Sequence, residues 1–171
     1  MAPRALPSLD EQLLRLARTR GHSGQAERAV ALFSRLGEHG GVWLAIGAIG
    51  QLLDERRRPR WRRATSTVAG VYALNTAIKL VLRRRRPTLP GLPPLTSAPS
   101  RLSFPSAHAS TSAAGALAYS RLGLPSVPLY ALALSLSLSR LYLGMHYPSD
   151  LIAGALLGMA VGRCRSGADG S

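Results

Sequence analysis

The chain has 171 residues, 46% of them hydrophobic, which suits one domain with a sizeable core and argues against a second. Its formal net charge of +14 comes from 22 basic against 8 acidic residues, and because Lys79 is the one lysine the basic character is that of arginine. That balance calls for an anionic partner, whether nucleic acid, acidic lipid headgroups or a phosphorylated substrate, while a single cysteine, Cys164, leaves no internal disulfide and no thiolate zinc cluster.

The first 20 residues lack the apolar run of a secretory signal. From residue 9 to 36 apolar positions recur at helical spacing, Leu9, Leu13, Leu14 and Leu16, then Val30, Leu32, Phe33 and Leu36, with a break around residues 21–24. Residues 1–37 are therefore expected to form two short amphipathic helices lying at an interface with their arginines on the polar side; period alone fits a solvated helical hairpin equally well. The mean hydropathy of +0.08 averages arginine-rich patches with five nearly uncharged runs, at 40–53, 64–82, 106–120, 122–139 and 151–162. With its flanks each approaches the roughly 20 helical residues that cross a bilayer. The third run is rich in Ala, Ser, Gly and Thr, residues that let membrane helices pack closely.

The expected fold class is all-α: an integral membrane bundle of about five transmembrane helices over residues 38–163, with a flexible tail from 164 to 171. A soluble bundle of buried helices is the alternative. Between the runs, 54–63 ("DERRRPRWRR") reads as a basic loop in which Pro59 breaks the helix and Trp61 suits a membrane interface. Residues 87–105, rich in Pro and Ser, read as the one long irregular connection.

If the last four runs cross consecutively, the end of the second, the start of the third, the end of the fourth and the start of the fifth share one side. Those ends carry Lys79 and Arg86, then Ser106 and His108, then Arg140, then His146 and Asp150. Lys79 and Arg86 are two turns apart and share a face if the helix continues that far. Three cations suit a dianionic phosphoryl group, since guanidinium forks match its oxygens. "FPSAH" at 104–108 opens a helix whose first amides favour an anion, with the Ser106 hydroxyl as a further donor. Asp150 lies four residues from His146 and can fix one imidazole nitrogen, leaving the other as nucleophile or base. Singly, each has a duller reading: a core histidine, a snorkelling Lys79, a lipid anchor at 83–86, a helix cap at Asp150.

Taken together these residues match three motifs in order. Lys, six residues, Arg-Pro is met by Lys79 to Pro87; Pro-Ser-Gly-His by "PSAH" at 105–108, with Ala107 in place of glycine; Ser-Arg, five residues, His, three residues, Asp by Ser139, Arg140, His146 and Asp150. The chain resembles the type 2 phosphatidic acid phosphatase superfamily, integral-membrane lipid phosphatases that share a pocket with vanadium haloperoxidases. The resemblance implies that His146 attacks phosphorus and forms a phosphohistidine, that Asp150 orients it, and that His108 protonates the leaving oxygen and later activates water. It implies that Lys79, Arg86, Arg140, Ser106 and the amides near Ala107 hold the phosphoryl oxygens, with no metal and no cofactor.

The expected partners are a lipid-phosphate substrate and membrane lipids, without nucleic acid. "SRLGEHGGVWLAIG" at 34–47 resembles, more softly, a bacterial subgroup that includes the decaprenylphosphoryl-5-phosphoribose phosphatases of cell-wall synthesis. That favours a polyprenyl-linked substrate over a general lipid phosphatase acting on undecaprenyl diphosphate, phosphatidic acid or phosphatidylglycerol phosphate. A non-catalytic basic protein binding anionic lipid or nucleic acid is the reading of another class; the 5% aromatic content supplies few stacking groups for the latter. The arginines at 56–63, 121, 163 and 165 fall opposite the catalytic side, which leans that side to the outside of the plasma membrane.

Overall fold

The computed structural model describes residues 8–98 and 100–167, and among them every regular element is helical. Two short helices, α1 (Leu9–Thr19) and α2 (Gly24–Arg35), precede five longer ones: α3 (Gly41–Leu53), α4 (Arg58–Leu82), α5 (Ala107–Ser120), α6 (Ser126–Tyr142) and α7 (Pro148–Gly167). Ser8 caps α1 in a capping box with Glu11, and Ser23 caps α2.

The small residues of α5 place it at the centre, packed against α4, α6 and α7. A Cβ on Gly154 would lie 2.5 Å from the Ser106 carbonyl oxygen, so α7 needs a glycine there to approach so closely. The hydroxyls that α5 buries are occupied: Ser110 and Thr111 donate to the Ala107 carbonyl, and Ser112 accepts from the Trp43 indole at 3.0 Å. The apolar core lies toward the other end of the bundle, where Trp43, Trp61, Val68, Tyr119 and Leu136 pack together.

Three expectations change. Pro59 starts a helix instead of breaking one: it stands in the first turn of α4, where its missing N–H is not needed, so residues 58–63 are helical. Trp61 is a core residue, 5% exposed, with its ring stacked on Tyr119 and its N–H given to Asp54. Arg18 leaves the polar side of α1 and is buried, donating to the Pro93 and Tyr142 carbonyls. Of the expected tail, residues 164–167 are the last turn of α7, and the remaining four lie outside the described residues.

Among the described residues one segment, Glu55–Leu82, is long and apolar enough to cross a membrane. At 13 and 14 residues, α3 and α5 span only about 20 Å, short of the roughly 30 Å of a hydrocarbon layer. Yet the outer faces are apolar as well: Leu53, Val81 and Val127 are 81%, 78% and 80% exposed. Along α6, Val127, Tyr130, Leu134 and Leu138 form an outward stripe opposite the buried Leu129, Ala133 and Leu136.

Candidate active site

Because α4 to α7 run alternately up and down, the C-terminal ends of α4 and α6 meet the N-terminal ends of α5 and α7. A cavity of about 220 Å³ opens there, lined by Lys79, Arg86, Ala107, His108, Arg140 and His146, together with Glu38, His39, Tyr72, Thr76 and Ser100. The structure brings all of the sequence-predicted site residues to this end of the bundle.

Lys79 is one turn from the end of α4 and gives its ammonium to the Ser103 carbonyl at 3.0 Å. The helix stops at Leu82, where Arg83 takes a left-handed conformation with φ 52, so Arg86 does not continue the Lys79 face. It reaches the cavity from the loop instead. That loop is pinned to the far end of the long connection: the Arg86 amide donates to Arg101, and the Ser103 amide and hydroxyl donate to Arg84 and Arg85. The Arg86 guanidinium then donates to the carbonyls of Ser100 and Met145, each at 2.8 Å.

At α5, Ser106 is the N-cap residue but makes no side-chain cap, and its buried hydroxyl has no partner among the described residues. The amides that follow are first-turn donors without intrahelical acceptors. Ala107 has no positive φ, so alanine meets no backbone penalty where the motif has glycine. Arg140, 3% exposed at the end of α6, donates from Nη1 to the Ser34 hydroxyl at 2.8 Å, while its Nε has no partner among the described residues.

His146 is buried, and its Nε2 lies 3.2 Å from Arg86 Nη1. A guanidinium only donates, so Nε2 accepts and the proton sits on Nδ1, which faces Asp150 Oδ2 at 3.4 Å. That separation is long for a hydrogen bond in the neutral state and suits a pair that tightens when the ring gains charge. Burial, the largest cause, pushes the His146 imidazole down to about 3 against the opposing pull of Asp150, and the charges of Arg86 and Lys79 push the same way. The ring is therefore neutral at neutral pH, with the Nε2 lone pair turned toward the cations. His108 Nε2 lies 2.9 Å from the Ser34 carbonyl and must donate to it, which leaves Nδ1 to gain and lose a proton.

Several residues of this site carry no motif. Ser34, from the end of α2, holds Arg140 and Ser139 through its hydroxyl and His108 through its carbonyl. Arg84 bridges two carboxylates, Asp150 at 2.8 Å and Asp10 of α1 at 2.8 Å, and lies over the Tyr147 ring. Asp10 also accepts from the amide and hydroxyl of Ser149. Burial alone would raise the Asp10 carboxyl, but the Ser149 and Arg84 hydrogen bonds outweigh it and hold the group below 3.8. The run at 83–86 is thus divided: Arg83 and Arg85 are exposed, Arg84 clamps Asp150, and Arg86 enters the cavity. Asn75, one turn before Lys79, fixes the Pro105 carbonyl beside Ser106.

The model of the PAP2 superfamily matches residues 61–166, which hold all three motifs. The chain belongs to the PAP2 superfamily. It is 42% identical over 130 residues to the decaprenylphosphoryl-5-phosphoribose phosphatase of Mycobacterium tuberculosis, covering 75% of this chain and 72% of the relative. The protein of the same name from Mycolicibacterium smegmatis is 42% identical over 135 residues, covering 78% and 73%. Among solved structures, the PAP2 type phosphatidylglycerolphosphate phosphatase of Bacillus subtilis superposes with TM-score 0.77 at 22% identity, covering 94% of this chain and 84% of that one. Aquifex aeolicus LpxE gives 0.75 at 22% identity, over 98% and 99%. These likenesses fix the all-helical PAP2 fold; Ser34 and Asp10 lie outside the matched family segment.

Proposed function

We propose that the chain is a membrane-embedded lipid phosphatase that removes the 5-phosphate of a polyprenylphosphoryl ribose, without a metal, through a phosphohistidine. The observation that carries the reading is the convergence of Lys79, Arg86 and Arg140 on one cavity, with the buried Arg140 Nε and, next to Ala107 of its wall, the buried Ser106 hydroxyl lacking partners among the described residues. Each unpaired buried donor costs about 1–3 kcal/mol, and a tetrahedral dianion would satisfy them together.

The chemistry follows from the proton positions. His146 Nε2 attacks phosphorus as the ester bond to the ribose oxygen breaks, and the imidazolium so formed is stabilised through Nδ1–H by Asp150. His108, which keeps its Nε2–H on Ser34 and enters the step protonated at Nδ1 as well, donates the Nδ1 proton to the leaving alkoxide and is left neutral. The same Nδ1 then takes a proton from the water that splits the P–N bond, releasing phosphate and restoring His146. The cations and the α5 amides bear the charge shared among the equatorial oxygens. Positive charge comes from side chains already in place, so catalysis is expected to survive chelation.

The substrate choice rests on the 42% identical relatives and their name. The apolar exposed faces of α3, α4, α6 and α7 support about five membrane-embedded helices. The exposed leucines of α1, Leu9, Leu13 and Leu16, support its lying in the headgroup layer on the catalytic side, which is the extracytoplasmic one. Phosphate release from a decaprenylphosphoryl-5-phosphoribose, an undecaprenyl diphosphate and a phosphatidic acid, with EDTA present, tests the reading. Preference for the first supports it; preference for another transfers the chain to the general lipid phosphatases, and release that requires added metal refutes the mechanism.

A further inference from the structure

At the end of the bundle away from the catalytic cavity lies a second and larger one, about 640 Å³, that the proposed reaction does not use. It is built from the start of α4, the end of α5 and the end of α7. Arg57, Arg60, Arg63, Arg121 and Arg165 line it, and among the described residues no acidic one does. Ala64, Ala118 and Leu122 give it an apolar side. Some of these guanidiniums are anchored by neutral groups: Arg57 on the Leu122 carbonyl at 2.9 Å, Arg121 on the Gly162 carbonyl at 3.3 Å, and Arg165 on the Ser66 hydroxyl at 3.2 Å. Asp54 and Glu55, just before α4, each engage a single arginine, Arg57 and Arg58. Segment 54–63 carries six arginines against those two acids.

Arg60, Arg121 and Arg165 bring like charge to one hollow with no carboxylate partner among the described residues, and their mutual repulsion is relieved by an anion between them. The distance from Arg63 to Lys79 along α4 is 16 residues, about 24 Å, so the two cavities sit at opposite rims of a bilayer-sized slab. Among the described residues no aromatic side chain lines the hollow, so it offers no stacking platform of the kind a nucleic acid would use.

We propose that this arginine-lined cavity binds the headgroup of an anionic phospholipid from the leaflet opposite the active site, with guanidinium forks on the phosphate and the glycerol backbone along the apolar side. The inference rests on the membrane placement proposed above, but not on the identity of the substrate. Its volume and charge suit a headgroup with more than one phosphate, such as cardiolipin.

The test uses the full-length, detergent-purified protein and native mass spectrometry with added cardiolipin or phosphatidylcholine. The wild type is expected to retain cardiolipin in preference to phosphatidylcholine, and Arg60→Gln/Arg165→Gln to lower that preference about 30-fold, the loss of two guanidiniums at a lipid surface. Both arginines are exposed, and phosphatase activity of this variant in neutral detergent, expected to be unchanged, verifies its fold. Arg86→Ala, in the catalytic cavity, is expected to keep the cardiolipin preference while losing activity. Equal cardiolipin retention by the double variant overturns the proposal, as does its loss in Arg86→Ala alone. Displacement of cardiolipin by equimolar inorganic pyrophosphate would assign the cavity to a free polyanion and overturn the lipid assignment.

Discussion

Gly37→Ala isolates the link between the N-terminal arm and the catalytic cavity. Gly37 has φ −88 and ψ −5, a conformation alanine adopts freely, so the backbone gives no reason for damage and the unfolded chain loses some freedom. The obstacle is His108. The new Cβ would lie 2.6 Å from its Cδ2 and 3.1 Å from its Nε2, against about 3.4 Å for ordinary contact. The imidazole must therefore retreat by about 0.8 Å, and its 2.9 Å bond to the Ser34 carbonyl goes with it. A misplacement of about 1 Å can cost a reacting group roughly 10²-fold, so kcat is expected to fall by about that factor. The melting temperature should move little, because the severe overlap is with the His108 ring at a cavity wall, while Leu136 Cδ2, 3.3 Å from the new Cβ, need give only slightly. Steady-state phosphate release and a thermal melt on the same preparation suffice. Activity within about twofold of wild type would show that His108 is not held as described.

Ser34→Ala removes the hydroxyl on which Arg140 rests and leaves the carbonyl that holds His108; it is expected to raise KM more than Gly37→Ala does and to cost about 1–3 kcal/mol, read by denaturant unfolding and Michaelis kinetics. Asp10→Asn weakens the Arg84 bridge. Since the Asp10 carboxyl is held below 3.8, its contribution is present above that value and lost as pH falls through the lower folded one, so the variant should show a shallower loss of stability in acid than the wild type. His146 titrates below its unfolded value of 6.5, down to about 3; the unfolded state binds the extra proton in that window, so wild-type stability falls as pH drops from 6.5 and His146→Gln should flatten that limb. Orthovanadate, which reaches the five-coordinate geometry of the transition state, is expected to inhibit competitively, and Arg140→Ala to weaken that inhibition at least tenfold; undiminished inhibition in the variant counts against an oxyanion site at Arg140.

The ends of the helices were the most legible part of the sequence. Uncharged runs located α3 to α7, and alternation alone collected Lys79, Ser106, His108, Arg140, His146 and Asp150 at one end, since each stands where a run meets its flank. Arg86 was found for an incomplete reason: helical spacing brought it near Lys79, whereas the chain leaves the helix at Arg83 and backbone pairing with Arg101 returns it. Pro59 misled because a proline in a basic stretch reads as a breaker until its place at the helix start is known. Ser34, Arg84 and Asp10 had no local signal. A serine late in an amphipathic helix looks solvated, an aspartate in a first turn looks like a dipole partner, and their contacts span 106 residues for Ser34 with Arg140 and 74 for Asp10 with Arg84. Such pairings come from how α1 and α2 dock on α6 and α7, which no period along the chain encodes.

The central claim is that His146 carries the phosphoryl group. Rapid mixing with a substrate radiolabelled in its terminal phosphate, followed by an alkaline quench that preserves a P–N bond, tests it most directly. The account predicts a labelled protein that is stable in base and loses its label in acid, present in wild type, accumulating when water attack is slowed in His108→Ala, and absent in His146→Ala. Phosphate release without a labelled intermediate, or label that persists in His146→Ala, would contradict it.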